Sequence, residues 1–523
     1  MASQQINIAA ESQRRGFPRA VGITRADASA MCVLSLVALV VGAILVAVTI
    51  DIPGDGPSHA MIAYGWSRHP HYKATGVWLP GFDYWAGLWM MLIPKPFLIP
   101  RLCNLGFATL TVPVFYAMVR KLHGSREALL GTIAFVALPL RIGLSASSLT
   151  EISSLFFLLA GLLCLMYAAE DGSIDVIWFT IAVLALVAAE MTRYEVWTFA
   201  PLFVFFIYAR TRGLSATAIA LIVLAIFPFI WSWGNYRASG DPFPGFHILS
   251  NAPEGASPVV LGDALLRICR LLRDNLGWLL SIGALLGLLV EFYCVLQRES
   301  DANRTSYAIF VAVVWAAIVR GGLLMGPALY PRYLLLAFTL SLPFAAVAYL
   351  AIAGRSGNSM VVGVVLIGAS LAMPYRHLYP LNRSWTPIFV TRRVPTDIIM
   401  IAKWLPSSAY GNDAVVMTKL DWDSTYLPLY LPQLNGRAMA VSVWVPLTFI
   451  RQFVESNHPA LLITDYKDSA GIARLDDALK RAVEPMLRDP VFVSGALEVY
   501  DIRGLTARCA SKNSDTKTRQ TCN

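Results

Sequence analysis

The residues able to do chemistry stand at the ends of long apolar runs. They are Asp51 and Asp55, Glu151, Arg193 and Glu195, Asp241 and His247, and Arg320 and Arg332. When the runs are counted off, all of these fall on the same side. Ionisable groups at or within apolar runs are costly and are functional candidates by default. A carboxylate can take a proton, and a guanidinium can donate a bidentate pair of hydrogen bonds to phosphate oxygens. A one-sided cluster of the two is what an enzyme acting on a lipid-borne substrate would need. Other chemical signals are weaker. His69 and His71 have the spacing of a metal pair, but no further ligand is placed, and the segment reads as an exposed loop. Asp421-Trp422-Asp423 imitates a metal motif far along the chain from the cluster and reads as a turn. Cysteines show no CxxC or Cys/His ligand spacing; Cys509 and Cys522 would pair only in an oxidising compartment.

The elements that must position these residues are membrane helices. The chain has 523 residues, of which 56% are hydrophobic and 14% charged, with a mean hydropathy of +0.58. That is far too little charge to cover a soluble surface. Apolar runs of about 18 residues or more span a bilayer, and about eleven are expected here. They begin near Ala30–Ile50, Leu102–Val119, Ala128–Ile142 and Ile152–Ala168, followed by Val176–Ala189, Val196–Tyr208 and Ala216–Trp233. Leu276–Leu296, Tyr307–Leu324, Leu334–Ile352 and Met360–Met373 complete the set. Gly81–Ile93 is apolar but short, so it is interfacial or re-entrant. Gly234–Asn275 reads as a long loop. The shorter runs must extend into their flanks.

Charge sets the orientation. Arg14, Arg15, Arg19 and Arg25 precede the first run, and Arg120, Lys121, Arg126, Arg210, Arg212, Arg298, Arg304 and Arg355 sit in alternate connections. The positive-inside rule makes that side cytoplasmic. The net charge of +9 therefore concerns a membrane, with no nucleic-acid partner expected. The first run reads as a retained helix, not a cleaved signal. The expected organisation is a cytoplasmic tail (residues 1–29), a transmembrane catalytic region (30–374) whose first outer loop is 51–100, and a small α/β domain (375–504). Residues 505–523 are expected to be a disordered tail. Within 375–504, Ala414–Thr418 and Leu461–Thr464 read as strands, Pro395–Leu405, Pro446–Ser456 and Leu475–Met486 as helices, and Val491–Ile502 as a hairpin. With an odd number of spans this domain is extracytoplasmic, in a multi-pass protein of the inner (plasma) membrane.

Several motifs are familiar in this order. Gly54-Asp55-Gly56-Pro57-Ser58-His59 resembles the first-loop acidic motif of the GT-C glycosyltransferases, and Gly76-Val77-Trp78-Leu79-Pro80-Gly81 resembles the later Trp/Pro stretch of that loop. Leu149-Thr150-Glu151, Thr192-Arg193-Tyr194-Glu195, Gly240-Asp241-Pro242 and Tyr330-Pro331-Arg332-Tyr333 resemble further family motifs. The similarity is greatest to bacterial protein-mannosyl, aminoarabinose and galacturonosyl transferases. It departs at one point: the family often shows Asp-Glu in the first loop, where Asp55 is followed by Gly56. Asp51 and Asp55 are thus both candidates for the base, with the Gly-Asp context and His59 favouring Asp55.

The resemblance implies transfer of a sugar from a polyprenyl-phosphate donor to a lipid, glycan or protein, with inversion at the anomeric carbon. Asp55 would be the base, and Arg332 and Arg193 would hold the phosphate, with Arg101 and Lys95 as further phosphate contacts. Glu151, Glu195, His59 and Asp241 would line the substrate site. One phosphate leaves as a stable anion, so neither a strong acid nor a divalent cation is demanded. The competing class is a transporter or flippase of lipid-linked sugars. Transporters place polar groups at mid-membrane in two related halves, and neither feature is seen.

Overall fold

The computed structural model describes residues 23–503 except 53–54, 77, 169–173, 212, 245–258, 298, 326–328, 355–357, 378–395, 412–415, 420–425, 435–436, 442–452, 455, 466–485, 488 and 496. His247, Asp421-Trp422-Asp423, most of the helices expected at Leu475–Met486 and Pro446–Ser456, the C-terminal tail and residues 1–22 of the N-terminal tail lie outside the described residues, whereas Arg25–Ser29 of that tail belong to the first helix.

Each apolar run expected to span is helical, although one, Ala128–Ile142, is divided between two helices. The first, α1 (Arg25–Val48), starts at a capping box in which Thr24 and Asp27 satisfy each other's backbone N–H groups. At 24 residues it is about 36 Å long, enough to cross a hydrocarbon core of about 30 Å. Asp27 also accepts from the Tyr116 hydroxyl at 2.8 Å and pairs with Arg120 at 2.9 Å, which ties the start of α1 to the far end of a later helix, Ile99–His123.

The first loop folds into two helices, α2 (Asp55–Arg68) and α3 (Gly81–Leu92). At 12 residues α3 is about 18 Å long, too short to span. One of its faces buries Phe82, Ala86 and Met90, while Leu88, Trp89 and Leu92 are exposed. That pattern suits a membrane interface.

The chain then runs through α4 (Ile99–His123) to α5 (Ser125–Ala137) and α6 (Pro139–Ser145). The last two meet at 60°. Pro139 lacks an N–H and disfavours a helical residue before it, so the run expected at Ala128–Ile142 breaks there. Next come α7 (Glu151–Ala168), α8 (Val176–Glu190), α9 (Tyr194–Thr211) and α10 (Leu214–Ser239). Among the described residues, the expected long loop after Trp233 is largely helical. α10 continues to Ser239, and α11 (Leu261–Asn275) is an amphipathic helix. The extension of α10 has a local cause. A Cβ on Gly234 would lie 2.2 Å from the Ala74 carbonyl oxygen, so the helix passes directly against the first loop, and Asn235 accepts from the Gly76 N–H at 2.8 Å. The remaining helices are α12 (Trp278–Leu296), α13 (Ala302–Met325), α14 (Leu335–Ala353) and α15 (Ser359–His377).

Among the described residues seven helices are long and apolar enough to cross a membrane, or eight if α5 and α6 form one bent span; α8, α9 and most of α15 are shorter apolar helices. The protein is a polytopic helical membrane protein. Its core centres on α14, whose Phe338, Leu340, Leu342 and Phe344 are buried against Phe115 and Phe135. Close approach there needs glycine. A Cβ on Gly287 of α12 would lie 2.0 Å from the Phe344 carbonyl oxygen. Gly287→Ala is therefore expected to destabilise the protein by about 1–3 kcal/mol, read as a lower midpoint of thermal unfolding in detergent.

The C-terminal region begins with α16 (Thr396–Trp404) and contains a five-stranded sheet. Its strands are β1 (Val416–Lys419), β2 (Ala438–Val441), β3 (Leu461–Asp465), β4 (Phe492–Ser494) and β5 (Leu497–Asp501), in the order β2-β1-β3-β5-β4. β1 runs parallel to β2 and β3, whereas β5 is antiparallel to β3 and forms a hairpin with β4. This region packs on the first loop. Ala60 and Met61 of α2 share a core with Ile398, Leu427, Ile463 and Val499. The buried Tyr426 hydroxyl donates to the Asp51 carbonyl at 2.7 Å.

Candidate active site

Four chain ends converge beneath this cap. Asp55 opens α2, Glu151 opens α7, Arg193 lies in the turn between α8 and α9, and Arg332 lies on a 3₁₀ turn (Pro331–Leu334) that leads into α14. Each position follows from local chemistry. Acidic residues at helix N-termini are favoured by the helix dipole, which suits Asp55, Glu151 and Glu195. Pro331 at the first position of its turn needs no N–H, and the buried helix behind it fixes Arg332 in place.

The side chains form one network. Arg332 Nη2 donates to Asp55 Oδ2 at 2.6 Å, and its Nε lies 3.6 Å from Glu151 Oε1. Arg193 Nη1 donates to the same Glu151 oxygen at 2.7 Å and to Thr150 Oγ1 at 3.2 Å. Arg193 also forks onto Glu195, with Nε to Oε2 at 3.0 Å and Nη2 to Oε1 at 2.5 Å. Both guanidinium carbons lie 5.3 Å from the centre of the Tyr333 ring, within reach of a cation–π contact. Glu151 is 5% exposed, and its second oxygen, Oε2, has no hydrogen-bond partner.

Three carboxylates thus face two guanidiniums. Burial alone would push the Asp55 carboxyl up. Burial is the largest single influence, but the charge and hydrogen bond of Arg332, with smaller help from His59 and Arg193, together hold Asp55 below the usual carboxylate range. Arg193 is opposed by burial but held protonated by Glu195 and Glu151.

The other candidates lie elsewhere or are committed. Asp51 is 6% exposed, and its Oδ1 accepts from the Ile52 N–H at 2.8 Å and the Ser148 N–H at 2.9 Å. Burial pushes its carboxyl up against those bonds. It joins the end of α1 to the segment before α7. Arg101 is also buried; its Nε donates to the Ala146 carbonyl at 2.6 Å and its Nη2 to Thr49 Oγ1 at 2.8 Å, so it braces α4 instead of facing the network. Lys95 is exposed, as is Arg320 on α13. Asp241 accepts from the Phe243 N–H at 2.8 Å in the turn after α10. His59, one turn beyond Asp55 on α2, is 3% exposed, and its Nδ1 lies 3.0 Å from Asp83 Oδ1. Asp83 was not singled out in the sequence. Its one signal is an acid inside the apolar stretch Gly81–Ile93. Among the described residues no group of three or more His, Cys, Asp or Glu side chains could hold a metal ion.

An anion bound here would compete with carboxylates that already occupy the guanidiniums. A phosphate taken by Arg332 would leave Asp55 without its partner and more basic, at the moment a substrate is present. The arrangement can therefore hold an anion and deliver a base beside it.

No family model matches the chain, and no curated protein matches it. Solved structures do. ArnT from Cupriavidus metallidurans bound to undecaprenyl phosphate aligns with a TM-score of 0.59 at 14% identity, over 90% of this chain and 97% of that one. The Archaeoglobus fulgidus oligosaccharyltransferase AglB, in complex with an inhibitory peptide and a dolichol-phosphate, aligns with a TM-score of 0.57 at 11% identity, over 87% of this chain and 70% of that one. The chain has the GT-C fold.

Proposed function

We propose that the chain is a glycosyltransferase that takes a sugar from a polyprenyl-phosphate donor and transfers it at the extracytoplasmic face of the inner membrane. Residues 30–374 would form its catalytic membrane region and residues 375–504 an extracytoplasmic cap. The observation that carries the reading is the contact of Asp55 with Arg332, made from residues 277 positions apart. The fold, shared with one structure holding undecaprenyl phosphate and another holding dolichol-phosphate, supports it.

In this reading the donor phosphate lies between Arg332 and Arg193 and displaces Asp55 from the guanidinium. An acceptor O–H loses its proton to Asp55, and its oxygen attacks the anomeric carbon. The bond from that carbon to the phosphate oxygen breaks, and the electron pair leaves with the lipid phosphate, whose charge the guanidiniums stabilise. In-line attack inverts the anomeric centre.

The test is direct. Purified full-length protein is given a polyprenyl-phosphate sugar labelled in the sugar, and release of lipid phosphate is followed together with appearance of label in envelope lipids and glycans. Release coupled to transfer is expected. Movement of the intact donor across vesicles without release would instead make the protein a transporter.

The pairing also sets a pH dependence. An aspartate held below its ordinary value of about 3.9 stays ionised until the pH falls through the lowered value. The stabilisation from its pairing with Arg332 is present above the ordinary value and is lost over the same fall. The kcat/KM profile, which reports the free enzyme, is expected to show no acid limb down to about pH 5. A limb centred near neutrality would show that a different group is the base.

A further inference from the structure

A cavity lies further along α2, on the face that carries Asp55. Its volume is about 340 Å³, at the small end of ligand pockets. Residues 55, 59, 62 and 66 repeat at helical spacing, so Asp55, His59, Ile62 and Trp66 form one stripe. Trp66, Lys73, Asp83 and Tyr84 line the cavity. Asp83 is 1% exposed, and its Oδ2 has no hydrogen-bond partner; the Lys73 ammonium is 3.7 Å away, beyond hydrogen-bond reach. Its other oxygen is fixed by His59, so the carboxylate cannot swing away. Both rings are also fixed. The Trp66 indole N–H donates to the His71 carbonyl at 2.8 Å, and the Tyr84 hydroxyl accepts from the Lys73 N–H at 2.7 Å.

We propose that this cavity binds a saccharide portion of the acceptor, so that the acceptor is a glycan or glycolipid. This rests on the reading of Asp55 as the base. The chemistry of the lining selects the class. A carboxylate that only accepts stands beside an ammonium that only donates, and together they are neutral. An anion is repelled by Asp83 and a cation by Lys73. Vicinal hydroxyls, each both donor and acceptor, satisfy the two at once. Trp66 and Tyr84, whose ring centres lie 5.0 Å apart, add an apolar aromatic wall suited to the C–H side of a sugar ring. Position selects the role. In-line attack requires the acceptor to approach on the side of the anomeric carbon away from the phosphate held by the guanidiniums, and a cavity on the Asp55 stripe of α2 is within reach of that approach. The cavity begins at Ile62, seven residues and about 10 Å along α2, which leaves room for the reacting hydroxyl to reach Asp55.

The test uses full-length protein in nanodiscs and saturation-transfer NMR with the methyl glycosides of glucose, galactose and mannose. Inorganic phosphate and trilysine serve as controls. At least one glycoside is expected to receive saturation on its ring protons, with binding at least ten-fold weaker in Lys73→Gln and in Trp66→Leu. Thr75→Val, a smaller change in the same lining, is expected to weaken binding while keeping the thermal midpoint, which covers misfolding of the larger variants. No transfer to any glycoside, or equal transfer in all cavity variants, overturns the proposal. So does binding of phosphate or trilysine in place of the sugars. Full transferase activity of Asp55→Asn would instead remove the base assignment, and a glycoside signal lost in the cavity variants would survive it.

Discussion

Asp55→Asn is expected to slow sugar transfer by about 10²–10⁴-fold, the usual contribution of a general base, while leaving the protein folded. The substitution keeps the shape, and the amide oxygen can still accept from Arg332, so the 2.6 Å contact has a neutral substitute. Asp55 is also one-quarter exposed, so the loss of its charge strands no deeply buried partner. Arg332 retains Glu151 on its other edge. What disappears is the ability to take a proton. Single-turnover release of lipid phosphate separates this from binding: the rate should fall while the donor concentration for half-saturation is unchanged or falls, because a carboxylate no longer competes for Arg332. Asp51→Asn provides the contrast. Asp51 accepts two backbone N–H groups on one oxygen in a buried joint; an amide oxygen can accept both, but more weakly than a carboxylate, and the amide NH2 adds two buried donors that need partners. It should lower the thermal midpoint more than the rate of the folded fraction. Wild-type turnover in Asp55→Asn would end the assignment.

The parts of this site differ in how readable they were. Arg193 and Glu195 are two residues apart, and their fork is visible in the local motif. Asp55 and Arg332 were both identified as candidates, because charge at the end of an apolar run is informative on its own. Their direct contact is not written locally, since it depends on how α2 and α14 meet beneath the C-terminal cap. Asp51 and Arg101 show the converse. Both have the residue type and place expected of site groups, yet both are consumed by backbone partners contributed by Ser148 and Ala146, which no spacing reveals. The cavity beyond His59 was silent for a related reason. Lys73 and Asp83 come from either side of a loop, and each looks ordinary until α2 and α3 pack together. At the scale of elements the apolar runs were legible because hydrophobic length is imposed by the bilayer. The helical continuation past Trp233 was not, because Gly234-Asn235 reads as a turn unless the first loop against it is known. Strand β2 was missed because four residues, Ala438–Val441, carry too little pattern.

Arg332→Gln should produce the second large effect, and its form distinguishes a phosphate ligand from a mere counter-charge. Losing one donor to a developing oxyanion costs about 10²–10³ in rate, and Arg332 would supply a fork that glutamine cannot reproduce. The same change removes the main cation facing Asp55. Burial, the largest influence on that carboxyl, is then opposed only by the smaller effects of His59 and Arg193. The Asp55 carboxyl must rise, so the acid limb of kcat/KM should move to higher pH than in the wild type. Arg332→Lys keeps a point charge without the planar fork. It should restore much of the acid limb but less of the rate. A role confined to holding Asp55 ionised would make the lysine variant nearly wild-type in both. A role confined to phosphate would leave the acid limb in place in both variants. The network predicts that the two readouts separate, because a single guanidinium contacts the base in the resting state and is taken over by the phosphate when the donor binds. Equal affinity of Arg332→Gln and the wild type for the lipid phosphate product would break that exchange, and with it the account of how this site frees its base.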